Sequence, residues 1–154
     1  MSKSPLSYAD ILSALAEQVG LDAQELLTTQ ELVVDGQPIG LQLEGDDRTG
    51  DLVFFASLGT PDAEQLQRVI RTLLEANHFW VGTGGCTLGL QPGTGAVTLC
   101  GRIRLDELGG KTLAALLDGF ADTAGFWRNL IESPPETLKP ALLRRYDTWF
   151  DLKV

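Results

Sequence analysis

Residues 82–103 read "GTGGCTLGLQPGTGAVTLCGRI", and the fold turns on whether these glycines wrap a phosphate or shape a hairpin. A dinucleotide fingerprint, G-x-G-x-x-G, joins a strand to a helix. Counted from Gly82, the third glycine position is Thr87; counted from Gly93, it is Thr98. The stretch also leads out of a helical pattern and into two strand patterns, Cys86–Gln91 and Ala96–Ile103, separated by "PGTG", Pro92–Gly95. That is a hairpin signal. A second decoy, "LGGKTL" at Leu108–Leu113, ends like a P-loop. Its first glycine position is Leu105, so the backbone lacks the freedom to cradle a phosphate. No nucleotide site is expected.

Working outward, Tyr8, Ile11, Leu12, Leu15 and Val19 recur at helical spacing, with Ser7 and Asp10 as a capping box and Gly20 as the stop. Three strands follow: Glu31–Asp35, Ile39–Glu44 after the turn "DGQP", and Leu52–Leu58, "LVFFASL", apolar on both faces and so expected to be covered on both, by its own domain or by something else. Thr60 as N-cap and Pro61 at the first helical position predict a helix ending near Asn77, with a stripe of Leu66, Val69, Ile70, Leu73 and Leu74. After the glycine-rich hairpin a long helix is predicted over Thr112–Ile131, stopped by Pro134 and Pro135. Helix, three strands, helix, two strands, helix is an α+β order: a twisted antiparallel sheet packed with helices. Residues 1–133 are read as one domain, and 134–154 as a C-terminal extension with a short helix.

The chain of 154 residues is 44% hydrophobic and carries a formal net charge of −9, with 12 Lys and Arg against 21 Asp and Glu. A nucleic-acid partner is not expected without a basic patch, and no apolar run approaches a membrane span. The N-terminus does not read as a signal peptide, so a cytoplasmic location is expected. With 2 cysteines, Cys86 and Cys100, and 1 histidine, His78, neither a disulfide scaffold nor a protein-only zinc site can be completed without a carboxylate. No serine lies in a G-x-S-x-G elbow, and the acidic pairs Asp46/Asp47 and Asp106/Glu107 sit in loop-like sequence. No catalytic residue, metal or cofactor is therefore assigned, and the protein is read as a non-enzyme.

"LLEANHFWVGTGGCTLGLQPGTGAVTLCGRIRLDEL", Leu73–Leu108, resembles the Tir chaperone family, the class I chaperones of type III secretion. The likeness lies in the Ala76-Asn77 helix end, the glycine-rich entry to Thr87-Leu88-Gly89-Leu90, and a strand closing on Arg102 and Leu105. "ILSALAEQVGL", "LVVDGQPIGLQLE" and "LAALLDGFADTAGFWRNL" are similar to the family's first helix, first hairpin and closing helix. The resemblance implies a small cytosolic homodimer without enzymatic activity. It would bind the N-terminal region of a secreted effector, keep it secretion-competent, and have the secretion ATPase as a further partner. Strand addition and apolar grooves would carry the binding.

The effector surface is placed on the first helix and first three strands, with Leu12, Leu15, Leu32, Val34, Leu41, Leu43 and Phe54 as candidates. Strand alternation leaves about half of them to the core. The dimer interface implied by the family and the second helix's stripe comprises Leu66, Val69, Ile70, Leu73, Leu88 and Leu90. The alternative is a small-molecule-binding or enzymatic α+β domain, whose pocket the sequence does not identify.

Overall fold

A computed structural model of the chain describes residues 4–108 and 110–134. The expected C-terminal extension, from residue 135 on, lies outside the described residues. The order is α1 (Tyr8–Val19), α2 (Ala23–Thr29), β1 (Glu31–Val34), β2 (Gln37–Glu44), β3 (Asp51–Ser57), α3 (Ala63–Asn77), β4 (Thr87–Leu90), β5 (Val97–Arg104) and α4 (Gly110–Glu132), with short 3₁₀ turns at His78–Trp80 and Leu105–Glu107. The strands form one sheet in the order β1-β2-β3-β5-β4, so β1 and β4 are its edges.

The described residues divide into two compact units, those up to Ala56 with Gly101–Asp122, and Ser57–Cys100 with those from Thr123 on. In the first, α1 begins at the expected Ser7–Asp10 capping box and ends at Gly20 in the left-handed conformation. α2 was not anticipated. It buries only Leu26, so seven residues leave no periodic stripe to read, and Asp22 starts it by accepting the Glu25 N–H. β1 and β2 pair antiparallel with Val34 opposite Gln37. Asp35 and Gly36 between them both have positive φ, +49° and +77°, as two-residue hairpin turns demand. β2 pairs with β3, Leu41 facing Phe54 and Leu43 facing Leu52.

The unit's core gathers Ile11, Leu12 and Leu15 of α1 with Ile39, Leu41, Leu52, Phe54, Leu113, Leu117 and Phe120, all buried. Phe54 meets Phe120 edge to face, with centroids 4.9 Å apart. Within this unit the other face of β3 is left partly open. Phe55 stays 39% exposed and lays its ring over Gly40, where a Cβ would come within 2.4 Å of it.

In the second unit, α3 starts two residues later than its sequence suggests. Asp62, not Thr60, is the N-cap: its carboxylate accepts the Gln65 N–H while the Gln65 side chain accepts the Asp62 N–H. An ionised oxygen is the stronger acceptor for an orphan helix donor, so Pro61 falls before the cap. α3 turns Val69, Leu73 and Ala76 inward, and β4 pairs with β5, Leu88 opposite Leu99.

The glycine-rich stretch is a wrap around an aromatic anchor. Gly82 lies against Ala76, where a Cβ would approach the Ala76 Cβ to 2.8 Å, and its carbonyl accepts the fully buried Trp127 indole N–H at 3.0 Å. Gly84 and Gly85 follow with φ of +62° and +89°, and the buried Thr83 hydroxyl donates to the Cys86 carbonyl. The "GKTL" of the P-loop decoy, Gly110–Leu113, is the start of α4.

Candidate functional site

An apolar groove of about 250 Å³ opens in the first unit, between β1, the end of α1 and the first half of α4. Leu15, Leu32 and Leu117 form its buried floor. Val19 and Leu21, each 45% exposed, and Val33, 65% exposed, line its sides with Val34 and Ala114. Asp35 and Asp118 stand on its lining too.

The groove runs beside a sheet edge with main-chain groups to offer. The Leu41 N–H donates to the Gln30 carbonyl, and such bonds recur at every second residue of an antiparallel pair. Leu32 and Val34 therefore bond to β2, while the N–H and C=O of Val33 point along the edge. The volume is at or below the low end of small-molecule pockets, which run about 300–1,000 Å³. It suits a few side chains of an added strand.

The sequence candidates divide accordingly. Leu15, Leu32 and Val34 line the groove. Leu12, Leu41 and Phe54 are 0%, 3% and 4% exposed in the unit's core, and Leu43 is half-buried on β2. Val19, Leu21, Leu117 and the two aspartates were not singled out. Val19 and Leu117 belong to helical stripes that read as plain core, and only the packing shows that they flank a strand edge.

In the second unit the proposed dimer residues divide in the same way. Val69, Leu73 and Leu88 are buried in that unit's own core, and Leu66 and Ile70 are half-buried. Leu90 is 42% exposed, and Leu74, on the same helix as Ile70 and one turn on, is 65% exposed. Phe79 and Trp80 are also exposed and have positive φ, +51° and +57°, which bulky residues rarely adopt.

The titratable groups are structural in character. Burial pushes the Tyr8 hydroxyl up to about 12, and it donates to the Gln30 side-chain oxygen at 2.8 Å. Burial pushes the Cys86 thiol up to about 11, with the Cys100 thiol adding to the effect. Such a thiol is a poor nucleophile at neutral pH. The Ser7 hydroxyl and N–H hold Asp10 below the usual carboxylate range, and the loop amides of Arg48 and Thr49 do the same for Asp46. His78 sits at the C-cap of α3 beside Phe79. Among the described residues no group of three or more His, Cys, Asp and Glu could hold a metal ion, and no helix is long and apolar enough to cross a membrane.

This α+β arrangement is shared with chains of several solved complexes. The chain is similar to a chain of the ExsC–ExsE complex (TM-score 0.54, 21% identity, covering 82% of this chain and 95% of that one). It is also similar to a chain of the HopA1–SchA chaperone–effector complex (0.60, 19%, 79% and 93%). A third likeness is to a chain of the heterodimeric ExoU–SpcU complex from the type III secretion system of Pseudomonas aeruginosa (0.59, 20%, 77% and 95%). No curated protein matches the chain. The profile of the Tir chaperone protein (CesT) family matches residues 10–128, and the chain belongs to that family.

Proposed function

We propose that the protein is a cytoplasmic type III secretion chaperone. It acts by binding, without catalysis, and keeps the N-terminal region of a secreted effector extended and secretion-competent. The observation that carries this is the apolar groove beside the edge of β1, in a chain of the Tir chaperone family. An extended effector segment would pair its main chain with Val33 and set alternate side chains over Leu15, Leu32 and Leu117. Leu12, Leu41, Leu43 and Phe54 would support that surface from behind.

A second copy of the chain would cover the second unit's exposed apolar side chains, Leu74 and Leu90, together with the half-buried Leu66 and Ile70. Val69, Leu73 and Leu88 would hold the surface in shape. The secretion ATPase would receive the loaded chaperone.

Co-purification from the native host identifies the secreted partner, and calorimetry on its N-terminal segment measures binding. Val33→Pro removes the edge N–H without touching the core. The parent protein should bind, and the variant should bind at least about tenfold more weakly, since an edge hydrogen bond and the strand geometry are both lost. A partner segment that does not bind the parent protein counts against the chaperone reading; equal affinity for both proteins removes the β1 edge from it.

A further inference from the structure

We infer that the groove beside β1 selects partner segments that carry a basic residue among their apolar ones, with Asp35 and Asp118 as the specificity-determining residues. The inference rests on the effector-binding reading of the groove and adds the chemistry of what it accepts.

Both carboxylates belong to the lining of an otherwise apolar groove, and they reach it from different elements: Asp35 from the β1–β2 turn, Asp118 from α4, next to the buried Leu117. Among the described residues no hydrogen bond or ion pair engages either one. The described arginines are taken up elsewhere. Arg68 and Arg71 pair with Glu64 and Glu75, Arg102 with Glu44 and Asp51, and Arg104 with Asp106. Arg48 and Arg128 donate to the carbonyls of Pro5 and Ser57. Among the described residues, then, no arginine takes up the groove's negative charge, which a basic ligand would complement.

Strand addition gives this charge a task. An apolar segment that alternates correctly can slip by two residues along an edge and still present the same face. Apolar contacts alone leave that register degenerate. A lysine or arginine at a set distance from the apolar anchors reduces the degeneracy, because a two-residue slip of about 7 Å carries it away from the carboxylate it pairs with. The same charges disfavour acidic segments of equal hydrophobicity.

The test is selection from a phage-displayed random peptide library on the full-length chain, run in parallel on the Asp35→Asn/Asp118→Asn variant and on Val33→Pro. Both aspartates are exposed and outside the core, and an unchanged melting temperature confirms that the double variant is folded. The parent should enrich peptides with alternating apolar residues and a Lys or Arg at a fixed offset. The double variant should keep the alternation and lose the basic preference. A selected peptide should bind the double variant more weakly by about two- to fivefold for each carboxylate removed at low salt, with the gap closing as salt rises. Replacing its basic residue by norleucine should weaken binding to the parent and leave binding to the double variant unchanged.

Apolar enrichment without a basic preference, or a basic preference that survives in the double variant, overturns the inference and leaves the effector-binding reading standing. Enrichment that Val33→Pro does not diminish places the peptides elsewhere and overturns it too. No apolar enrichment on the parent sinks both.

Discussion

The carboxamide of Asn77 closes on both main-chain groups of Leu88: its Nδ2 donates to the Leu88 carbonyl at 2.9 Å, and the Leu88 N–H donates to its Oδ1 at 2.8 Å. The Gln91 N–H bonds to Ala96, so alternate residues of β4 face β5 and Leu88 faces the open edge. The last residue of α3 thus takes the place of a neighbouring strand for one residue pair. Asn77→Ala leaves both groups without their partner and should cost about 1–3 kcal/mol in denaturant unfolding. Asn77→Asp sets a carboxylate oxygen against the Leu88 carbonyl and should cost more than Asn77→Ala. An alanine variant as stable as the parent would show that water satisfies this edge equally well.

Trp127 anchors the glycine-rich turn through the Gly82 carbonyl. Trp127→Phe keeps most of the ring volume but strands a buried acceptor, a loss of about 1–3 kcal/mol. Trp127→Ala adds a cavity and should lose about 3–5 kcal/mol or abolish folding. If phenylalanine and alanine cost the same in chemical denaturation, the indole's packing has no part in the anchor.

Phe55 and Gly40 form a coupled pair across β2 and β3, since a Cβ on Gly40 would meet the ring at 2.4 Å. Gly40→Ala should destabilise the parent by displacing the ring. In a Phe55→Ala background it should be neutral or stabilising, because alanine suits a strand interior better than glycine. A double-mutant cycle reads the coupling, and additivity within about 0.5 kcal/mol would mean that the two do not meet in solution.

Stability should fall at alkaline pH. The folded Cys86 thiol is raised from 9.0 to about 11, so the unfolded chain releases this proton first. Between those values the folded state binds more protons, and its stability declines as pH rises. Tyr8, raised from 10.0 to about 12, extends the decline upward. The Cys86 share is on the order of 2 kcal/mol, fully present below about pH 9. Cys86→Ala should flatten the stability profile between pH 9 and 10, leaving the fall that Tyr8 causes above that; an unchanged slope in urea melts across this range would discount the buried thiol.

The proposed homodimer makes its own prediction. Leu74→Asp puts a charge on a 65%-exposed position, so the single chain should fold normally. In an apolar interface the same charge is unpaired and costly. Light scattering should show monomers for Leu74→Asp at concentrations where the parent is dimeric. A stable dimer in the variant would move the interface away from α3.

Much of this architecture is local and therefore legible in one dimension. Ser7–Asp10, Gly20, a turn within "DGQP" and the 3.6-residue stripes of α1, α3 and α4 act within a few residues of themselves, so pattern and capping chemistry are enough to find them, although the turn itself spans only Asp35 and Gly36 and β2 starts at Gln37. The α+β order follows, because short turns between strands leave only antiparallel pairing. The absence of Gly at 105 likewise decides against a P-loop before any packing is known. Which apolar face is core and which is surface belongs to tertiary structure. Val34 and Leu41 are both apolar strand residues, yet Val34 is half-buried and lines a groove while Leu41 is sealed inside, because that depends on what the helices place over each strand. Asp35 and Asp118 stand far apart in the chain, and nothing local to either signals that they share a groove. Packing alone brings both to the lining of one groove, and a contact between residues distant in sequence leaves no period for the eye to find.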